Sequence, residues 1–132
     1  MSLFVDTSAF YALLVASERD HCAVLDAFRA AAERGRRMVT TNYVLVETAA
    51  LLQHRIGLPP VRDLEDRILP LITVHWVSSE LHQRAVERLF RTDKRRVSLV
   101  DVVSFAVMDA EGLTDVLGLD PDFATEGFRL LP

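Results

Sequence analysis

Short apolar segments alternate with longer segments of helical periodicity along the whole chain, and this alternation limits the fold more than any other feature. Four segments predict strands and a fifth is a candidate: Leu3–Val5, Met38–Thr40, Ile72–Val77, Asp115–Leu119 and Phe128–Leu131. Parallel strands need a long crossover, which a helix usually provides. The alternation therefore predicts one α/β domain over residues 1–132. The predicted domain is a three-layer sandwich with a central, mainly parallel sheet of four or five strands and helices on both faces.

Small polar residues predict where the helices begin, because their side chains accept hydrogen bonds from the free N–H groups of a helix N terminus. The predicted caps are Thr7 or Ser8, Asn42, Ser79 and Ser98. The first helix is expected to begin near residue 9, and the later helices to cover about 21–34, 43–55, 59–68, 79–90 and 98–111. Gly35 and Gly57 are typical of helix ends.

Composition excludes several classes of protein. The chain has 15 basic and 19 acidic residues, a net charge of −4, which argues against a positively coated protein for bulk nucleic-acid binding but not against a local basic patch. No apolar run approaches the roughly 18 residues of a membrane span, and no signal peptide is visible. The single cysteine, Cys22, cannot form an internal disulfide, so the reducing cytoplasm is the expected compartment.

Four acidic residues stand at the end or in the middle of apolar segments. Asp6 and Asp120 each follow a predicted strand, and ligands of parallel sheets bind at the carboxyl ends of the strands. Glu47 and Asp101 lie in helical segments whose neighbouring residues are apolar, with no Lys or Arg within four positions of Glu47. An ionised carboxylate in such surroundings is costly unless a cation compensates it.

Each acid also has a structural explanation of its own. Asp6 can cap the helix that follows it, and Asp101 fits the capping-box pattern that begins at Ser98. Glu47 can reach solvent at the rim of its helix, and Asp120 can begin a turn before Pro121. All four explanations would have to hold together, which favours a shared function for the four acids.

A hard divalent cation provides that function, because Mg²⁺ prefers oxygen ligands and converging carboxylates repel one another without it. One or two such ions can orient a water molecule and stabilise charge on a phosphoryl group. The four histidines are scattered, and no Cys or His cluster has the spacing of a zinc site. The residues thus predict a carboxylate site for a hard divalent cation such as Mg²⁺.

Four segments together resemble the motifs of PIN-domain ribonucleases, and most closely those of the VapC-type toxins of toxin–antitoxin pairs. The segments are Val5–Phe10, Thr40–Glu47, Ser98–Met108 and Leu119–Phe128, and the resemblance covers essentially the whole chain. It implies a PIN-like fold and a site for Mg²⁺ or Mn²⁺. It further implies hydrolysis of single-stranded or structured RNA to products with a 5′-phosphate and a 3′-hydroxyl. It also implies a cognate antitoxin as partner.

The resemblance assigns the metal site residue by residue. Asp6, Glu47, Asp101 and Asp120 match its four acids, and Asp122 is an alternative or additional ligand beside Asp120. Ser8 matches a hydroxyl position beside the first acid, and Ser104 is a further supporting residue. The end of the Asp101 helix departs from the pattern, since it carries Asp109 and Glu111 where related chains often have basic residues.

Contact with RNA must therefore come from other residues. The candidates are Arg91, Lys94, Arg95 and Arg96, which form a basic loop just before the Asp101 helix. Such a loop is suited to salt-sensitive contact with phosphates, and equally to simple solvation. Arg36 and Arg37 are expected to be ordinary surface residues.

A homodimer is expected in addition to the antitoxin. The segments Phe10–Val15 and Leu58–Leu71 mix apolar and charged positions, so either a docking surface or packing in the core explains them.

Three other functions remain open at this point. The first is an RNA-processing or DNA-directed PIN nuclease without an antitoxin, and the second is a catalytically silent interaction module. The third is a phosphatase with Asp6 as nucleophile, which the presence of Ser8 rather than a second Asp two residues later disfavours.

Overall fold

The computed structural model describes residues 1–92 and 95–132, which form a five-stranded parallel sheet surrounded by helices. In chain order the elements are β1 (Ser2–Val5), α1 (Thr7–Leu14), α2 (His21–Glu33), β2 (Arg37–Thr41), α3 (Asn42–Arg55), α4 (Leu58–Asp63), β3 (Ile72–His75), α5 (Ser79–Thr92), α6 (Leu99–Glu111), β4 (Asp115–Leu117), α7 (Asp122–Thr125) and β5 (Arg129–Leu131). A π-helical turn over Leu64–Ile68 and a 3₁₀ turn over Leu69–Leu71 lead from α4 to β3.

The strand order is β3-β2-β1-β4-β5, so β1 lies in the middle of the sheet. Consecutive residues of β1, such as Phe4 and Val5, are fully buried although their side chains point to opposite faces. Both faces of the central strands are therefore covered, as expected of a parallel sheet. The predicted α/β fold with a parallel sheet is confirmed. Among the described residues, no helix combines the length and the hydropathy that crossing a membrane would require.

The pairing of β1 with β4 brings the two strand ends together at one edge of the sheet. Val5 lies opposite Leu117, and the Asp6 amide donates a hydrogen bond to the Leu117 carbonyl at 3.0 Å. β4 was expected to continue to Leu119, but it ends at Leu117 because the next amides bond elsewhere. The Gly118 amide donates to the carbonyl of Leu131 in β5, and the chain then turns across the end of β1.

The predicted cap of α3 is wrong by one residue, and for α1 the structure selects Asp6 over the other candidates, Thr7 and Ser8. α1 is capped by Asp6, whose carboxylate accepts a hydrogen bond from the Ser8 amide at 3.4 Å, so Thr7 and Ser8 lie inside the helix. α3 is capped by Thr41, whereas Asn42 uses its side chain to accept a hydrogen bond from the backbone that follows β3. In both cases the capping residue is the last one with an extended backbone, which is the conformation that an N-cap requires.

Of the predicted caps of α5 and α6, the first is wrong by one residue and the second is correct. Ser78 rather than Ser79 accepts the hydrogen bond of a first-turn amide in α5. Ser98 caps α6 as predicted, and it forms a complete capping box with Asp101. Gly112 ends α6 with a left-handed backbone at φ 68°, which glycine adopts without strain.

Arg36 is a structural residue and not the ordinary surface residue that was expected. One of its guanidinium nitrogens lies 3.0 Å from Oδ2 of Asp115 and 3.2 Å from the carbonyl oxygen of Ser2. The two paired side chains are only 15% and 11% exposed. The pair therefore joins the beginnings of β1 and β4, at the edge of the sheet opposite to the one where Asp6 lies.

Arg36→Ala should lower the free energy of unfolding by roughly 2–3 kcal/mol, because it leaves the nearly buried Asp115 carboxylate short of its closest cation. Urea unfolding followed by circular dichroism measures this change. Arg67→Ala is the matched control, since Arg67 pairs with Asp63 in an exposed ion pair at 3.7 Å. Loss of that pair should cost less than about 1 kcal/mol. Equal effects of the two substitutions would contradict the role assigned to Arg36.

Candidate metal centre

A cleft of about 330 Å³ opens at the edge of the sheet where β1 and β4 end. Four of the acids that the sequence singled out line this cleft, namely Asp6, Glu47, Asp101 and Asp120. They come from the end of β1, from α3, from the first turn of α6 and from the segment after β4. The fold thus brings together four carboxylates that lie up to 114 positions apart in the sequence (120 − 6 = 114).

Asp6 is the most buried of the four, with only 3% of its surface exposed. Its Oδ2 accepts a hydrogen bond from the Ser8 hydroxyl at 2.9 Å, and that hydroxyl in turn accepts one from the Leu119 amide at 2.9 Å. Its Oδ1 is buried without a hydrogen-bond partner among the described residues. The Asp6 side chain is thus held firmly while one of its oxygens remains available for a ligand.

Burial raises the pKa of Asp6 to about 6, and the nearby Asp101 carboxylate adds to that rise, while the hydrogen bond from Ser8 opposes it. A raised pKa means that ionising Asp6 is unfavourable in the protein alone. A cation bound at Oδ1 would remove that penalty.

Gly118 makes the close packing around Asp6 possible. A Cβ atom at position 118 would lie 3.1 Å from the Asp6 Cβ and 3.4 Å from the Ser8 hydroxyl oxygen. Any side chain there would have to displace the Asp6 carboxylate or its hydrogen-bonding partner.

Asp101 both caps α6 and belongs to the acidic cleft. Its Oδ2 accepts a hydrogen bond from the Ser98 amide at 3.2 Å, which completes the capping box. Burial is nevertheless the largest effect on its pKa, which is raised, and the carboxylates of Asp120 and Glu47 raise it further. Capping and metal binding therefore do not exclude each other here, because capping uses only one of the two oxygens.

Asp120 and Asp122 lie close to Asp101, and one carboxylate oxygen of each of the three residues falls within 4.8 Å of the others. Asp120 lines the cleft and its Oδ1 accepts the Asp122 amide at 2.9 Å. Asp122 is 9% exposed and pairs with Arg96 at 3.3 Å. Asp120 is thus the better candidate ligand of the two, because it lines the cleft. Asp122 is not among the lining residues and is paired with Arg96.

Glu47 is half-buried on α3 and is followed on the same helical face by Leu51 and Arg55. Both of these residues also line the cleft. Arg55 was not predicted as a site residue because it lies eight residues after Glu47, about two helical turns farther along the same face of α3 and beyond the nearest neighbours at three and four residues. The Arg55 guanidinium lies over the ring of Tyr11, 5.3 Å from its centroid.

Two further lining residues, Tyr11 and Glu18, were also absent from the predicted site. The position of Tyr11, one helical turn after Thr7 on α1, was a usable signal. Glu18 lies in the connection between α1 and α2, where no periodicity exists to place it. Ser104 is fully buried, donates its hydroxyl to the Val100 carbonyl at 3.0 Å, and is not among the residues that line the cleft.

The basic residues of the predicted loop do not all lie in a loop. Arg91 belongs to α5, which continues to Thr92, and it lines a groove between α5 and α6. Arg95 is exposed, and Arg96 pairs with Asp122. Lys94 lies outside the described residues.

The chemistry of the cleft fits a hard divalent cation. The candidate ligands are all carboxylate oxygens. Among the described residues, none of these acids has a Lys, Arg or His partner within 4.0 Å; they are Asp6, Glu47, Asp101 and Asp120. The unpartnered Asp6 Oδ1 is an independent sign that a ligand is missing from the set. Mg²⁺ and Mn²⁺ both accept such ligands.

Comparison with known proteins agrees with this geometry. Residues 3–127 match the family model of the PIN domain. The chain is 37% identical to the 23S rRNA-specific endonuclease VapC20 of Mycobacterium tuberculosis over 127 residues, which cover 96% of this chain and 95% of that protein.

Solved structures give the same result. The crystal structure of M. tuberculosis VapC20, described as a Sarcin-Ricin loop cleaving toxin, superposes with a TM-score of 0.88 and 34% identity over 99% of this chain and 100% of that one. FitAcB from Neisseria gonorrhoeae superposes with a TM-score of 0.70 over 98% of this chain and 96% of that one. Its identity is only 14%, so it supports the fold alone.

In the metal-free protein, Asp6→Asn should raise the free energy of unfolding above pH 6. The wild-type pKa is raised to about 6, so ionisation of Asp6 destabilises the fold as the pH rises from the ordinary carboxyl range to that value. Asparagine removes this charge and still caps a helix well, so we expect a gain of roughly 2–3 kcal/mol at pH 7.5 and no gain near pH 4.

Urea unfolding in EDTA at the two pH values measures the difference. Asp26→Asn, at an exposed position of α2, is the control and should leave stability unchanged at both. If Asp6→Asn is no more stable than wild type at pH 7.5, then Asp6 is not an unfavourably ionised group.

Proposed function

This chain belongs to the PIN-domain family, and we propose that it is a divalent-metal-dependent endoribonuclease that cleaves structured ribosomal RNA. The observation that carries the proposal is the convergence of four carboxylates without cationic partners in one cleft of a PIN fold. The similarity to a 23S rRNA-specific endonuclease over nearly the whole chain supports RNA over DNA as the substrate. An intact set of acids also argues against a catalytically silent module.

In this proposal Mg²⁺ or Mn²⁺ is held by four carboxylates, those of Asp6, Glu47, Asp101 and Asp120. Asp122 positions Asp120 through the hydrogen bond from its amide to the Asp120 carboxylate. The cation would supply a Lewis acid that activates water and stabilises charge on the phosphoryl group. Ser8 fixes the Asp6 carboxylate, and the capping box fixes Asp101, so neither ligand needs to be ordered when the metal or RNA binds.

Among the described residues, Arg55 is the one basic residue that lines the cleft. Its guanidinium group lies over the Tyr11 ring, and a guanidinium group has several N–H donors that suit a phosphate oxygen. We propose that it contacts the RNA backbone beside the scissile phosphate, since Glu47 and Arg55 lie about 12 Å apart along the α3 axis.

The proposed biological role is that of a toxin with a cognate antitoxin, and the proposed assembly is a homodimer. Phe10–Val15 is not available for either partner, because Phe10 and Leu13 are buried in the core. Around β3 and α3, by contrast, the large apolar side chains of Val46, Leu71 and Trp76 are 53–73% exposed. This surface supports protein contact, because exposed apolar patches typically mark interaction sites.

Cleavage should require Mg²⁺ or Mn²⁺ and should stop when EDTA is added, because the four carboxylates are proposed to act only through the cation. The measurement is cleavage of purified ribosomal RNA, read on gels and by mapping of the 5′ ends. Metal-independent cleavage would overturn the proposed chemistry.

Asp101→Asn should lower the cleavage rate by at least about a hundredfold, since losing even an outer partner of a metal ligand typically costs 10–100-fold. The asparagine oxygen can still accept the Ser98 amide, so the thermal midpoint should stay the same or rise. Asp26→Asn, at an exposed position of α2 outside the cleft, is the matched control and should cleave normally. Full activity of Asp101→Asn would remove this residue from the site.

Trp76→Glu should convert the proposed dimer into a monomer, because it places a charge in the exposed apolar surface. Light scattering coupled to gel filtration should give twice the chain mass of 14.8 kDa for the wild type and 14.8 kDa for the variant. A monomeric wild type would contradict the proposed dimer but leave the nuclease unaffected. Toxicity on expression, relieved by a small neighbouring gene, would support the proposed antitoxin.

A further inference from the structure

The helical hairpin of α5 and α6 carries a groove of about 440 Å³ that shares no lining residue with the acidic cleft. We call it the arginine groove and define it by the charged and small residues along its two sides, which are Arg84, Arg88 and Arg91 on α5 and Ala106, Asp109 and Ala110 on α6. The arginines recur at spacings of four and three, so they share one face of α5. The two alanines opposite them leave the groove open.

Positive charge is concentrated in this part of the sequence. Six of the fifteen basic residues of the chain fall between positions 84 and 96, and only two acids do. The six are Arg84, Arg88, Arg91, Lys94, Arg95 and Arg96. In a chain with a net charge of −4 and an acidic cleft, this segment is the main source of attraction for a polyanion.

The three arginines of the groove are not equivalent. Arg88 lies 3.7 Å from Asp109 and 3.3 Å from Glu126, and it covers the Phe105 ring with 5.8 Å to the centroid, so it is held by the protein. Arg84 and Arg91 are exposed, and neither has a carboxylate within 4.0 Å among the described residues. These two cations therefore remain available for an external anion.

The arginine groove is connected to the acidic cluster by α7. Asp122, the first residue of α7, shares the cluster with Asp101 and Asp120, and Glu126, just after its end, pairs with Arg88. A helix rises about 1.5 Å per residue, so the two ends of this link are only about 6 Å apart. A strand of RNA that occupies the cleft can therefore also reach the groove.

An exposed aromatic ring is found on the same helix as the three arginines, although it is not among the residues that line the groove. Phe90 precedes Arg91 on α5, and 75% of its surface is exposed. Single-stranded RNA loops stack unpaired bases on such rings while arginines bind their phosphates.

We infer that the arginine groove is a second binding site for the RNA substrate, where Arg84 and Arg91 bind backbone phosphates away from the scissile bond and Phe90 stacks an unpaired base. This inference rests on the proposed ribonuclease function and adds to it a site that recognises a structured RNA loop. It explains how a cleft lined by five acids and one arginine retains a polyanion.

The test measures RNA binding in the inactive Asp101→Asn background, with fluorescence anisotropy of a stem-loop transcript that carries the sarcin–ricin sequence. Arg84→Gln combined with Arg91→Gln should weaken binding roughly tenfold and reduce the slope of log affinity against log salt by about 1.5, since each phosphate contact contributes roughly 0.7–0.9. Arg88 is kept because of its role in the fold. Arg29→Gln combined with Arg34→Gln, two exposed positions at α2, is the charge-matched control and should change neither quantity.

Phe90→Ala provides a separate readout. It should weaken binding about fivefold or more without changing the salt slope, because stacking releases no counterions. Phe90→Tyr, which keeps the ring, should restore the affinity. An unchanged affinity in Phe90→Ala would remove the stacking part of the inference.

In the active protein, the double arginine variant should raise KM for the stem-loop and leave kcat within about twofold, since the groove contributes equally to ground-state and transition-state binding. A loss of kcat with unchanged KM, or a salt slope equal to that of the control, would overturn the inference. Absence of any cleavage by the wild type would instead refute the proposed function, while the binding measurement would still decide the role of the groove.

Discussion

Mutual repulsion between carboxylates is the constraint on which the rest of this structure depends. Burial raises the pKa values of Asp6 and Asp101, and in each case a neighbouring acid raises the pKa further. The protein could relieve this repulsion by pairing the acids with basic residues, as it does for Asp115 and for Asp122. Asp115 lies at the opposite edge of the sheet and Asp122 lies beside Asp120. The four acids of the cleft itself have no cationic partner within 4.0 Å among the described residues, so a cation from outside the chain would relieve their repulsion.

Rigid support keeps these acids in place despite the repulsion. Parallel pairing of β1 with β4 fixes the two strand ends, Ser8 connects Asp6 to the segment after β4, and the capping box anchors Asp101 at the start of α6. Each support uses backbone amides or a hydroxyl group, which cannot neutralise a carboxylate. The same local chemistry therefore stabilises the fold and preserves the charge that metal binding requires. In the proposed ribonuclease, affinity for RNA would then come from cations placed farther away.

The general fold and the four acids of the cleft could be predicted from the sequence, because both depend on patterns that burial imposes over many residues. The choice among the candidate caps of α1 and α3 could not be predicted. Adjacent residues such as Thr41 and Asn42 are both good caps, and only the backbone conformation decides between them. Asp101 was treated as either a cap or a ligand, yet its two oxygens allow both. Arg55 and the arginine groove depend on helix faces that meet in space, and no short sequence window contains both sides of such a contact.

Gly118 shows how a residue without any functional group can control the chemistry of a site. Its missing Cβ is what allows the turn after β4 to pass so close to Asp6 and Ser8. In a systematic mutational scan, this position would therefore register as intolerant, alongside the acids themselves, although it binds nothing. A map of the substitutions that the domain tolerates would thus reveal residues that shape the acidic cleft as well as the acids that line it. Gly118 would mark the place where the backbone packs most closely against Asp6.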